Sequence, residues 1–146
     1  MLKRLSRLLI LVTLAWCQVA TAELVLIANA AIHDAGISRE QAVNIYMGRL
    51  RRFPSGAAAV PLDLPADGTE KALFYRLLLN KSLSDIGAYW ARLLFSGRTA
   101  PPHTVGSPPD VVNYVAANPN AVGYVDRSVV DSRVKIMLEL PVPGDR

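Results

Sequence analysis

Cysteine is almost absent. The one cysteine, Cys17, lies near the amino end and residues 18–146 hold none, which excludes a disulfide framework for the body of the chain and a thiol nucleophile within it. The apolar core alone has to hold the fold. Histidine is scarce too: His33 and His103 stand far apart, without an acidic or histidine partner at ligand spacing, so no metal site is expected. No serine sits in the glycine context of a nucleophile elbow. Catalysis would rest on carboxylates alone, and Asp63 and Asp67, on either side of Pro65, read as ordinary turn residues. The expectation is a protein that binds rather than catalyses and that needs no cofactor.

A long apolar run is also missing. Leu8 to Trp16 is the longest, too short to cross a bilayer, which takes roughly 20 residues as a helix, so no stable membrane anchor is expected. It follows the basic stretch Lys3-Arg4-Leu5-Ser6-Arg7 and precedes Ala20-Thr21-Ala22. That order of basic, apolar and small is the layout of a secretory signal over residues 1–22, with cleavage after Ala22. Trp16 fills the position where a lipoprotein signal needs a small residue before its cysteine, so soluble export to the periplasm or medium is favoured over lipid anchoring. Three of the 16 basic residues, Lys3, Arg4 and Arg7, belong to this leader, and the rest nearly balance the 12 acidic ones. The remaining domain, 23–146, is therefore close to neutral and offers no general attraction for nucleic acid.

What is present is a regular alternation of apolar runs and caps. Glu23 to Ala28 reads as a buried strand. Ser38 with Gln41 has capping-box spacing for a helix carrying Ala42, Ile45 and Tyr46 and stopping at Gly48. Ala58 to Leu62 reads as a strand in which Pro61 marks an edge or an end. Thr69 is placed to cap a helix with Leu73, Phe74, Leu77 and Leu78 in one stripe, and Ser82 a helix with Ile86, Trp90, Leu93 and Leu94 in another. Gly97 to Pro109 is proline-rich loop, Pro109-Asp110 opens a short helix, and Ala121 to Val125 is a third strand. In a fourth strand Val134, Ile136, Leu138 and Leu140 alternate with polar residues. Arg49, Arg51 and Arg52 read as a solvated basic turn, and Arg92 and Arg98 as cations favoured near a helix end. The sum is a mixed sheet flanked by helices, a three-layer α/β domain.

The helix start at Asp67-Gly68-Thr69 combines a glycine that lets amides approach a ligand, a hydroxyl and free N–H groups, the ingredients of an anion site. Ile37-Ser38-Arg39-Glu40-Gln41, Ile45-Tyr46-Met47-Gly48-Arg49, Phe53-Pro54-Ser55-Gly56 and Ala121-Val122-Gly123-Tyr124-Val125 together resemble runs of the phosphate-binding proteins of phosphate ABC transporters. The resemblance implies a single type II periplasmic-binding-protein-like lobe with phosphate or another small anion as ligand. Asp67, Gly68, Thr69 and Arg98 are then the ligand-binding residues. It also sets Asp63 where the family's loop carries arginine, so a repelling carboxylate is expected there and Asp63→Arg is expected to strengthen binding. The rival reading is an envelope protein-interaction module that kept the fold and lost the ligand.

Overall fold

The computed structural model describes residues 23–97 and 99–143; the expected leader at 1–22 and Arg98 lie outside them. Among the described residues five strands and four α-helices run in the order β1 (Leu24–Asn29), α1 (Arg39–Tyr46), β2 (Val60–Asp63), α2 (Thr69–Leu79), α3 (Leu83–Ser96), β3 (His103–Thr104), α4 (Pro108–Ala117), β4 (Ala121–Asp126) and β5 (Val134–Leu140). The strands form one sheet in the order β3-β2-β4-β1-β5. β2 is parallel to β3 and β4, and β1 is antiparallel to β4 and β5, so the sheet is mixed as expected.

Successive residues of a strand face opposite sides of a sheet, and β4 shows what covers each. Gly123 lies against Val111 and Val115 of α4. Tyr124 stacks on Phe74 of α2, with ring centroids 3.8 Å apart, and meets Tyr46 of α1 edge-on. Helices therefore cover both faces, giving the three layers expected. The close approach of α4 depends on Gly123, because a Cβ there would stand 2.4 Å from Val111 Cγ1. Gly123→Ala is expected to cost about 1–3 kcal/mol by overpacking, read as a lower urea midpoint at unchanged slope.

Local rules are obeyed where the sequence states them strongly. Ser38 with Gln41, and Ser82 with Asp85, each form a complete capping box, and Gly48 takes the left-handed conformation after α1 at φ 73°. Asn29, buried at the end of β1, donates to the carbonyls of Val115 and Ala116 and so closes the carboxyl end of α4. Trp90 is buried with Ile86 as expected, but Leu94 turns outward and Phe95 is almost wholly exposed.

Four expectations need correction. Thr69 does not cap α2: the cap position falls on Gly68, and no side chain bonds the first turn. The proline-rich loop contains a fifth strand, β3, which holds His103. Pro61 sits in an interior strand, yet β3 pairs only with Leu62 and Asp63, so the missing N–H of Pro61 falls beyond its reach. The even alternation of β5 is broken, because the register to β1 shifts between Leu26 and Ile27 and leaves Met137 as an extra residue. Val134 and Ile136 consequently share the α4 face with Ile27, while Leu138 and Leu140 share the other with Leu26.

Candidate functional site

In a sheet with parallel strands, ligand sites form outside the carboxyl ends of those strands. Here β2 ends at Asp63 and β3 at Thr104, adjacent in register. The loop Leu64 to Gly68 leads from that end into α2. Asp67 and Gly68 in it, and Thr69 at the start of α2, are exposed. Gly68 is extended, and its N–H bonds the carbonyl of Pro65. The first-turn amides of α2 are thus left without a side-chain acceptor, the condition under which a helix start attracts an anion. The Glu70 carboxylate folds back over Gly68, its Oε2 lying 2.8 Å from where a Cβ would stand. Asp67 and Glu70 make this opening rich in acceptors.

Asp63 is not the exposed turn carboxylate expected from the sequence. It is 4% exposed, and both of its oxygens are occupied. Oδ1 accepts from the Leu64 N–H at 2.9 Å and from the Tyr124 hydroxyl at 2.5 Å, and Oδ2 accepts from the Tyr75 hydroxyl at 2.8 Å. Lys71, in the first turn of α2, brings its ammonium to 3.5 Å from Oδ2. The Tyr46 hydroxyl completes this polar centre by donating to the carbonyl of Leu62 at 2.9 Å. Burial first, and then the charge of Asp63, raise the phenols of Tyr46, Tyr75 and Tyr124 above the ordinary range.

Beside this centre lies a cavity of about 280 Å³ lined by Asp63, Lys71, Thr104, Ile86, Trp90 and Pro102, among others. A larger cleft of about 600 Å³ adjoins it, with Trp90 and Pro102 in the shared wall and Arg51, Arg52 and His103 among its lining residues. The Trp90 indole N–H is buried without a hydrogen-bond partner among the described residues. The fold brings Asp67, Gly68 and Thr69 together, as their adjacency requires, while Arg98 lies outside the described residues. Sequence reasoning missed Lys71 and Thr104. The signal for Lys71 was its place in the first turn of a helix opened by glycine; Thr104 had none, because its strand went unseen. Among the described residues no helix is long and apolar enough to cross a membrane.

No protein-family model and no curated sequence matches the chain. Solved structures do. The chain is similar to an ABC-type phosphate transport receptor from Vibrio cholerae (21% identity, TM-score 0.62, 80% of this chain and 46% of that one). It is similar to a putative phosphate ABC transporter substrate-binding protein with bound phosphate from Clostridium perfringens (18%, 0.63, 80% and 45%). It is also similar to PstS from Borrelia burgdorferi (16%, 0.59, 80% and 47%). The chain spans about half the length of each. The expected resemblance to phosphate-transport binding proteins holds at the level of the fold, that of one substrate-binding lobe.

Proposed function

We propose that this chain is an exported, non-enzymatic solute-binding lobe that takes phosphate at the carboxyl end of β2. One observation carries the reading: α2 opens, without a side-chain cap, beside the Lys71 ammonium and at the ends of two parallel strands. Gly68 and Thr69 offer amides and a hydroxyl, and Asp67 belongs to the same loop. Arg98 stays in the proposal as a further donor. The surrounding carboxylates set the selectivity. Hydrogen phosphate carries a proton that it can donate to Asp67 or Glu70, whereas sulfate carries none and meets only repulsion.

Calorimetric titration at low salt tests this. Phosphate is expected to bind and sulfate to bind at least about tenfold more weakly, with Lys71→Gln losing at least about tenfold for phosphate, the loss of one charge-assisted bond. Thr69→Ala is expected to weaken phosphate while leaving stability within about 0.5 kcal/mol, because its hydroxyl caps nothing. Equal affinity for the two anions, or silence with both, would overturn the reading. Export through residues 1–22 belongs to the same proposal, and intact mass of the exported product is expected to show a chain beginning at Glu23. Retention of residues 1–22 would remove that part.

One observation favours the second reading, an envelope interaction module. Leu94 and Phe95 are 57% and 96% exposed at the end of α3, and adjacent exposed apolar side chains suit a partner surface. Silence in the titration would leave that reading ahead.

A further inference from the structure

The basic turn from Arg49 to Arg52 takes no part in the opening at α2, and the fold divides it. Arg51 and Arg52 line the large cleft, whereas Arg49 lines a separate cavity of about 340 Å³ together with Lys81, between α2 and α3, and Arg92 on α3. Met47, Leu79 and Tyr89 give this cavity apolar walls, and it shares only Ile86 with the small cavity at β2. Asp85 is the one carboxylate among its lining residues. That carboxylate is engaged with the Ser82 N–H in the capping box of α3.

No hydrogen bond or salt bridge joins the side chains of Arg49, Lys81 or Arg92 to another described residue, although the charge of Lys81, after the bonds from Ser82, helps hold the Asp85 carboxyl below its ordinary range. Three cations line this cavity against a single carboxylate, and an anion entering it balances that surplus of positive charge while gaining charge-assisted bonds. Two guanidinium forks match the tetrahedral oxygens of a phosphate group. The apolar walls ask for something more than an inorganic ion, since burying them against an apolar body is favourable. We infer that this cavity binds a phosphate ester carrying an apolar group, its phosphate held by Arg49, Lys81 and Arg92 and its apolar part against Met47, Leu79 and Tyr89. The ester is either free in solution or displayed by a lipid surface, and the chemistry recognised is the same.

Phenyl phosphate is the probe for the free form and vesicles containing phosphatidylglycerol for the lipid form, with phenol and neutral phosphatidylcholine vesicles as uncharged counterparts. The purified protein is expected to bind at least one charged probe, by calorimetry or co-sedimentation, at least about tenfold more tightly than its uncharged counterpart. Binding of phenyl phosphate assigns the site to free esters, and binding of the anionic vesicles alone assigns it to a membrane. The exposed double substitution Arg49→Gln/Arg92→Gln should reduce that binding at least about tenfold and leave the titration with inorganic phosphate unchanged. Lys71→Gln should do the reverse, so failure at one site is distinguishable from failure at the other. Binding of neither charged probe, equal binding of the uncharged counterparts, or charged binding untouched by the double substitution overturns the inference.

Discussion

Asp63→Arg is expected to leave a chain with no cooperative unfolding transition, rather than one that grips an anion more tightly. The sequence, aligned by resemblance, invites this substitution, because arginine in the loop before α2 would fork onto a phosphate. The structure makes the position unavailable. The Asp63 side chain is buried within a ring of donors: the Leu64 amide, the hydroxyls of Tyr75 and Tyr124, and Lys71. Arginine has donors only, so Tyr75, Tyr124 and Lys71 would lose their acceptor, the Leu64 amide would keep only the Tyr124 hydroxyl oxygen at 3.2 Å, and a second cation would face Lys71. A buried donor left without a partner costs about 1–3 kcal/mol, and breaking a buried charge pair costs about 3–5 kcal/mol. Those penalties together reach the range of the whole stability of a typical domain, about 5–15 kcal/mol. Asp63→Asn is the graded control. Its amide oxygen still accepts from Leu64 and Tyr124, while the partner of Lys71 is lost, so a cooperative transition weakened by about 3–5 kcal/mol is expected. Urea denaturation followed by the fluorescence of Trp90, the one tryptophan in the described residues, reads both variants. A folded Asp63→Arg protein with improved phosphate affinity would restore the alignment-based reading and remove the structural role assigned to the carboxylate.

The misreading of Asp63 shows which signals a sequence carries. Caps are local: Ser38 and Gln41, or Ser82 and Asp85, lie three residues apart, and the geometry of a helix start makes their spacing legible. The network around Asp63 joins residues 12 and 61 positions apart, and nothing in the spacing marks them as partners. The same holds for the cations. Arg49, Arg51 and Arg52 read as one cluster because they are neighbours in the chain, but the turn after α1 sends them to two different cavities, and Lys81 and Arg92 join Arg49 only once α3 has folded back. β3 escaped notice because a two-residue strand has no period to detect, and the bulge at Met137 because alternation in β5 continues on either side of it. The helix start at Gly68 was legible as a place while its capping was not, since Thr69 is a good cap by type and stands one residue too late.

Raising the pH is expected to dismantle the fold steeply, and the tyrosines around Asp63 are the reason. Burial is the larger cause and the Asp63 charge the second, and both hold the phenols of Tyr46, Tyr75 and Tyr124 in their protonated form in the folded state. In the unfolded chain each titrates near the ordinary value of about 10. Above that pH the unfolded state gives up protons that the folded state keeps, so the folded state binds more protons and stability falls with rising pH. The stabilisation is complete below about pH 10 and diminishes through the alkaline range, at about 1.4 kcal/mol per pH unit for each phenol. Three phenols kept protonated in the fold remove stability at up to about 4 kcal/mol per pH unit above that point, steep enough to cross the stability of most domains of this size within the alkaline range. The expected result is one cooperative alkaline transition in which loss of helical circular dichroism, change in Trp90 emission and appearance of the three buried phenolates in near-ultraviolet absorbance coincide. Tyr75→Phe, which removes one phenol and its bond to Asp63, should lower stability at neutral pH by about 1–3 kcal/mol while reducing the steepness of the alkaline loss by about a third. Full ionisation of every tyrosine near pH 10 with secondary structure intact would show that the phenols are open to solvent and that the carboxylate they surround does not organise the core.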